Sequence, residues 1–267
     1  MLPHEAEVGT EIAVKCQIQL AGMTALHNTV VGMMTCGSWK ITKRGVDRVV
    51  AETMMGLLTK SCKTFRSIQI LCERGLYEDA HSLVRVLMET TVAGLFILQK
   101  KPRERARIYH AHGIARDIKM LHEWASTPGL KRKVTKGLMK QANDTLTDAT
   151  RALPAGTDVK HHWSGKHNLL EAMRSIRGDV LYATLYRFTS SISHASDFGA
   201  QMEIHSASEG PIWQIEPRVT GFETPSYTAR ELLWHLANRI DSRLGLGFSS
   251  TLAPHRLSKA DVRLGQK

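Results

Sequence analysis

The stretch on which the fold turns is His81-Ser-Leu-Val-Arg85-Val-Leu-Met-Glu89-Thr-Thr-Val-Ala-Gly-Leu-Phe-Ile-Leu98. Its apolar residues recur on nearly every side of a 3.6-residue helix, so the segment reads as a helix buried on most of its surface. The apolar run Leu83 to Leu98 holds Arg85 and Glu89 and is too short and too charged for a membrane span. Arg85 and Glu89 stand four apart, so they share a face, with His81 one turn earlier on nearly the same line. Burying such a pair costs several kcal/mol per ion unless hydrogen bonds compensate. Two uses fit: a structural bridge at a helix crossing, or the wall of an active site.

The same periodicity extends in both directions. Apolar spacings of three and four predict helices over 10–34, 41–73, 77–99 and 102–124, with Arg74-Gly75 as a stop and Pro102 in a first turn. Beyond Pro128-Gly129 a basic helix ends near Leu153, followed by a loop at 154–165. Asn168 to Ile176, Asp179 to about Ala195 and Ser226 to Leu244 complete the helices. The Gly- and Pro-rich connection 197–225 suits a short extended pair near Ile212 to Ile215. The expectation is an all-α protein: an N-terminal helix over 1–40, one helical-bundle domain of six to eight helices over 41–246, and a flexible basic tail over 247–267.

The 267 residues are 42% hydrophobic and 23% charged, which is globular composition and excludes a wholly disordered chain. Lys and Arg number 36 against 25 acids, a net +11 that favours an anionic partner. Much of the surplus lies between Gln99 and Lys140. There Lys100, Lys101, Arg103, Arg107, Lys131, Arg132 and Lys133 are candidates to hold a nucleic-acid backbone, or simply a solvated helix face. Few aromatic residues interleave with them, which disfavours stacking on single-stranded bases. Cys16, Cys36, Cys62 and Cys72 have neither metal nor C-x-x-C spacing, so free thiols in a reducing compartment are expected. The acidic, polar N-terminal residues lack the pattern of a secretory signal, and a cytoplasmic location without membrane contact is the expectation. His161, His162 and His167 cluster around Trp163 without an acidic or thiol partner at ligand spacing, so neither a metal nor another cofactor is expected. No Gly-rich phosphate loop, G-x-S-x-G or H-E-x-x-H occurs.

A second polar set stands in Tyr182-Ala-Thr-Leu-Tyr186-Arg187-Phe-Thr-Ser190-Ser-Ile-Ser-His194. On a continuous helix Arg187 and His194 differ by about 20° and lie about 10.5 Å apart along the axis. An imidazole moves protons near pH 7 and a guanidinium neutralises charge on a phosphorane-like transition state. Arg187 and His194 are therefore the candidate catalytic pair, with Arg85, Glu89, Tyr186 and Ser190 shaping a pocket. The spacing alone fits a buried, hydrogen-bonded histidine as well.

The motif Leu83-Val-Arg85-Val-Leu-Met-Glu89, then Trp163-Ser-Gly-Lys166, then Tyr186-Arg187-x-x-Ser190-x-x-x-His194 resembles the bacterial family of unknown function numbered 5677, from about Thr53 to Leu244. Arg-x6-His is also similar to the Arg-x4-6-His signature of the HEPN superfamily, although Phe188 follows the arginine where those nucleases carry a polar residue. That second resemblance implies a HEPN-like core and metal-independent RNA cleavage. It further implies a homodimer and a toxin or antiphage role with an antitoxin or defence partner. The alternative is a non-catalytic helical module that binds a nucleotide, nucleic acid or a protein.

Overall fold

The computed structural model describes residues 3–36, 47–165, 167–193, 202–204, 211–213 and 217–257. They are helical almost throughout: α1 (Pro3–Lys15), α2 (Gln17–Thr35), α3 (Arg48–Glu73), α4 (Tyr77–Gln99), α5 (Pro102–Ser126), α6 (Lys136–Arg151) and α10 (Glu223–Leu244) are the long elements. Short segments α7 (Leu169–Ser175), α8 (Asp179–Leu181), α9 (Arg187–Ser193) and α11 (Ser249–Leu252) stand between and after them. The all-α class holds, with more segments than the six to eight expected. Two expected helices are each interrupted: the first at Cys16 (φ −111°) and the later one by a π-helical turn at Tyr182–Tyr186.

The first break is slight, because Cys16 N still donates to Ile12 O at 2.8 Å and Leu20 N to Cys16 O at 2.9 Å. Within 197–225, Met202–Ile204 (β1) pairs antiparallel with Pro211–Trp213 (β2), Met202 opposite Trp213, close to the expected extended pair. Residues 247–257, within the stretch expected as a tail, include the short helix α11 and are tied to α2 and α10. The indole of Trp234 donates to Leu252 O at 2.9 Å, Asp241 accepts from Phe248 N at 2.8 Å, and Thr29 meets His255 at 2.8 Å.

The chain forms two compact units, each drawn from separate stretches. One comprises Met1–Thr42, Gly56–Thr91 and Asp179–Lys267; the other comprises Lys43–Met55 and Val92–Gly178. The core of the first is built from stripes at helical spacing, such as Met23, Leu26, Val30 and Met33 on α2 and Leu58, Cys62, Phe65 and Ile68 on α3. Gly75 stops α3 with φ +73°, and a Cβ there would lie 2.6 Å from Arg218 O, so only glycine fits. Among the described residues the four cysteines are free thiols. Burial pushes Cys62 up to about 11 and Cys72 up to about 12, which makes both inert.

α4 is longer than its apolar run. At 23 residues, with mean hydropathy 1.4 over its most apolar 18, it meets the length and composition of a membrane span. Most of that stretch, 61%, is buried inside the protein, as in the core helix of a globular fold.

In the second unit α5 begins with Lys101 in the left-handed region (φ 45°) and Pro102 at the first helical position. α7 starts with a capping box: Asn168 Oδ1 accepts from Glu171 N at 2.9 Å and Glu171 Oε2 from Asn168 N at 3.1 Å. Asn168→Ala is expected to cost about 1 kcal/mol, measured as a lower urea midpoint with an unchanged slope.

Candidate functional site

α4 presents His81, Arg85 and Glu89 along one line in the first unit, and the Tyr182–Tyr186 π turn lies against it. Such turns insert an extra residue into a helix and are frequent at functional sites. Here the turn stacks Tyr182 on Tyr186, with ring centroids 4.8 Å apart and planes within 15°. Arg85 Nη2 donates to Tyr186 Oη at 3.2 Å, its guanidinium lies 5.0 Å from that ring, and its Nε stands 3.3 Å from Glu89 Oε1. The Glu89 side chain is 41% exposed and that of Arg85 21%, so this is a half-open ion pair. Its desolvation cost is accordingly below that of the sealed bridge considered from the sequence.

His81 is the buried member, 8% exposed, with its ring edge-on to Phe188 at 5.2 Å. Its Nδ1 has no hydrogen-bond partner among the described residues. Burial lowers its pKa to about 4, leaving the ring neutral at pH 7. Phe188, which departs from the HEPN pattern, thus packs against an imidazole that helical spacing alone places only on the line of Arg85 and Glu89.

Arg187 opens α9 and is exposed, with no hydrogen bond or ion pair among the described residues. The buried residues on either side of it, Leu185 and Thr189, point about 200° away around the helix. The structure therefore gathers Arg85, Glu89, Tyr186 and His81, and sets Arg187 on the outer face of its helix. Ser190 is half-buried, and His194 lies outside the described residues.

The basic residues fall into two groups within the second unit. Lys100 and Lys101 precede α5, Arg103 and Arg107 lie in its first two turns, and Lys131, Arg132 and Lys133 form a 3₁₀ turn beyond its other end. The 19 residues after Arg107, to the end of α5 at Ser126, span about 28 Å between the groups. Lys101 pairs with Glu104 at 3.1 Å and Arg103 with Asp47 at 2.6 Å, whereas Arg107 and the 131–133 turn have no ion pair among the described residues. Arg105 and Arg151 join the first group, each lining a cleft at the start of α5 together with Lys101 and Glu104, and Arg151 lies outside the basic stretch read from the sequence. Nothing local marks Arg151, because its approach depends on how α6 folds back along α5.

The imidazoles around Trp163 turn to separate partners. His161 meets Asp158 at 2.6 Å, His162 meets Ser164 at 2.6 Å, and His167 stands 3.6 Å from Glu171. Among the described residues no three His, Cys, Asp or Glu side chains gather as metal ligands. Trp163 packs edge-on to Phe96 at 5.8 Å and to Tyr109 at 6.2 Å, which anchors the loop.

Residues 51–210 match the family of unknown function DUF5677. The chain belongs to that family. The DUF5677 match takes in both arginine motifs and the basic stretch 99–140, and it ends before α10, short of the reach to Leu244 expected from the sequence. No curated protein and no solved structure matches the chain.

Charge divides sharply between the units. The second holds 20 Lys and Arg against 9 Asp and Glu, a formal +11, and the first holds 16 of each, a formal zero. The whole surplus of this DUF5677 member thus belongs to the unit that lacks the Arg85 and Arg187 motifs.

Proposed function

We propose that the protein is a metal-independent endoribonuclease of HEPN type, acting in the cytoplasm as a homodimer in a toxin or antiphage system. Arg187 and His194 carry the chemistry, and the basic second unit holds the RNA backbone. The observation that carries this reading is the contrast between two arginines. Arg85 is held by Tyr186 and Glu89, whereas Arg187 is exposed with no ion pair among the described residues. An uncompensated guanidinium is suited to a phosphate's non-bridging oxygens.

In the proposed reaction the RNA 2′-hydroxyl attacks the adjacent phosphorus. The bond to the leaving 5′-oxygen breaks, and the products are a 2′,3′-cyclic phosphate and a 5′-hydroxyl. His194 takes the proton from the 2′-hydroxyl or returns one to the leaving oxygen, and Arg187 neutralises the transition-state oxyanions. Arg85 and Glu89 fix the Tyr186 turn from which α9 departs.

The test is RNA incubated with purified protein in EDTA, with the ends analysed for cyclic phosphate. Arg187→Ala is expected to lower kcat/KM about 100-fold, with an unchanged circular dichroism spectrum because the side chain is exposed. Cleavage that survives this substitution, or an inactive wild type, defeats the proposal. The second reading, a non-catalytic module for a phosphate-bearing ligand or protein, is favoured by the confinement of the net charge to the second unit. It predicts salt-dependent RNA binding with no cut strands.

A further inference from the structure

Two neighbouring clefts open at the start of α5 in the second unit, of about 410 and 580 Å³. Lys101, Glu104 and Pro154 line both. The smaller adds Arg105, Ile108, Asp158 and His167, and the larger adds Arg103, Arg107 and Arg151. Five cations against two acids therefore line the pair, whose sizes suit a small ligand.

Arg105 is the fixed element. Its guanidinium lies 3.6 Å from the centroid of the buried Phe96 ring, and its Nη1 donates to Phe96 O and to Gln99 Oε1. Its Nε and Nη2 donate to nothing among the described residues, although the group is half-buried. One edge of a guanidinium is thus clamped and the other is left for an acceptor in the cleft, the geometry of bidentate oxyanion recognition.

The acids of the clefts already have partners. Glu104 holds Lys101, while Asp158 accepts from Lys160 N at 2.9 Å, from His161 N at 3.3 Å and from the His161 ring at 2.6 Å. Arg107 has no ion pair among the described residues. Arg151 has an exposed pair with Asp148, which is weak; Arg103 is paired more firmly, at 2.6 Å, with the half-buried Asp47.

We propose that these clefts bind a phosphomonoester, with Arg105 gripping the phosphate and Lys101 at its rim. A monoester presents three terminal oxygens and close to two charges at pH 7. It can enter a concave site from one end, whereas an internal phosphodiester must continue in both directions. The phosphate belongs either to a free nucleoside monophosphate or to the 5′ end of an RNA strand, whose next phosphates would meet Arg107 and Arg151. The site stands whether or not the protein cuts RNA.

The experiment is calorimetric titration of the full chain with AMP and with adenosine. Parallel titrations use a 2′-deoxy oligonucleotide, which lacks the internal nucleophile, bearing either a 5′-phosphate or a 5′-hydroxyl. AMP is expected to bind at least tenfold more tightly than adenosine. Arg105→Lys, which keeps the charge and loses the fork, should weaken AMP at least tenfold. The exposed Lys101→Gln, which leaves the packed core untouched, should weaken it severalfold. A tenfold preference for the 5′-phosphorylated strand assigns the site to a chain end, and a preference confined to AMP assigns it to a free nucleotide. Equal binding with and without phosphate in both series overturns the proposal, as does AMP binding that neither substitution changes. Every readout is binding, so a failure of RNA cleavage has no bearing on whether this site exists.

Discussion

Phe96→Ala is expected to lower the unfolding free energy by about 3 to 5 kcal/mol, the range for deleting a buried aromatic side chain. Phe96 is 1% exposed, and its ring is the shared support of several groups in the second unit. Trp163 and His167 pack edge-on to it at 5.8 and 5.7 Å, and Arg105 stacks on it at 3.6 Å. Truncation removes the dispersion contacts of the ring and leaves a cavity that the helix backbone cannot close. It also frees the 154–167 loop from its anchor, so the loss should fall at the upper end of the range. Phe96→Leu, which keeps most of the volume, should cost less than half as much. The check is urea denaturation of both variants. A loss under 1 kcal/mol for the alanine would show that the ring does not support the loop.

That pedestal illustrates which features could be read from the sequence. The helix containing Phe96 is evident from its periodicity, and the start of α5 from Pro102, because both signals lie within a few residues of the structure they specify. The same holds for the stop at Gly75. The capping box is not among the sequence expectations, although Asn168 and Glu171 stand at its required spacing. Arg105 on Phe96 is nine residues apart across a helix junction, a distance at which spacing rules have no force.

Other features have no local signature. The break at Cys16 carries no glycine or proline, and the π turn occupies the ordinary helical residues Tyr-Ala-Thr-Leu-Tyr. That turn matters for the candidate site. Its extra residue shifts the phase of everything after it by one position, so the face of α9 cannot be inferred from the pattern upstream. Spacing puts Arg187 and His194 on a common line, but burial of Leu185 and Thr189 decides where Arg187 points. The link from Arg85 to Tyr186 spans 101 residues and is visible only in the fold. Likewise the sequence places a cluster of positive charge near α5, yet only the division into compact units shows that one of them carries all of the excess.

His81 gives the second large effect, as a dependence of stability on pH. Burial holds its folded pKa near 4 against an ordinary value of 6.5, so between about pH 4 and 6.5 the imidazole is neutral in the folded protein but charged in the unfolded chain. Between those values the unfolded state binds the additional proton, and stability must rise with pH across the window. The contribution is therefore complete above pH 6.5, shrinks as the pH falls, and is gone near pH 4. A shift of about 2.5 units corresponds to about 3 kcal/mol over the window. Carboxylates titrate in part of the same range, so the wild-type curve alone does not isolate the effect. His81→Leu does: it removes the titrating group and also the buried Nδ1 that lacks a partner among the described residues. At pH 7 the variant should match or exceed wild type by about 1 kcal/mol. At pH 4.5 its advantage should widen by a further 2 to 3 kcal/mol, roughly the shift integrated from pH 6.5. Chemical denaturation at the two pH values measures both numbers. A wild-type-to-variant difference that stays constant between them would mean that His81 is protonated in the folded protein, with its charge neutralised or solvated, and that Phe188 does not seal it.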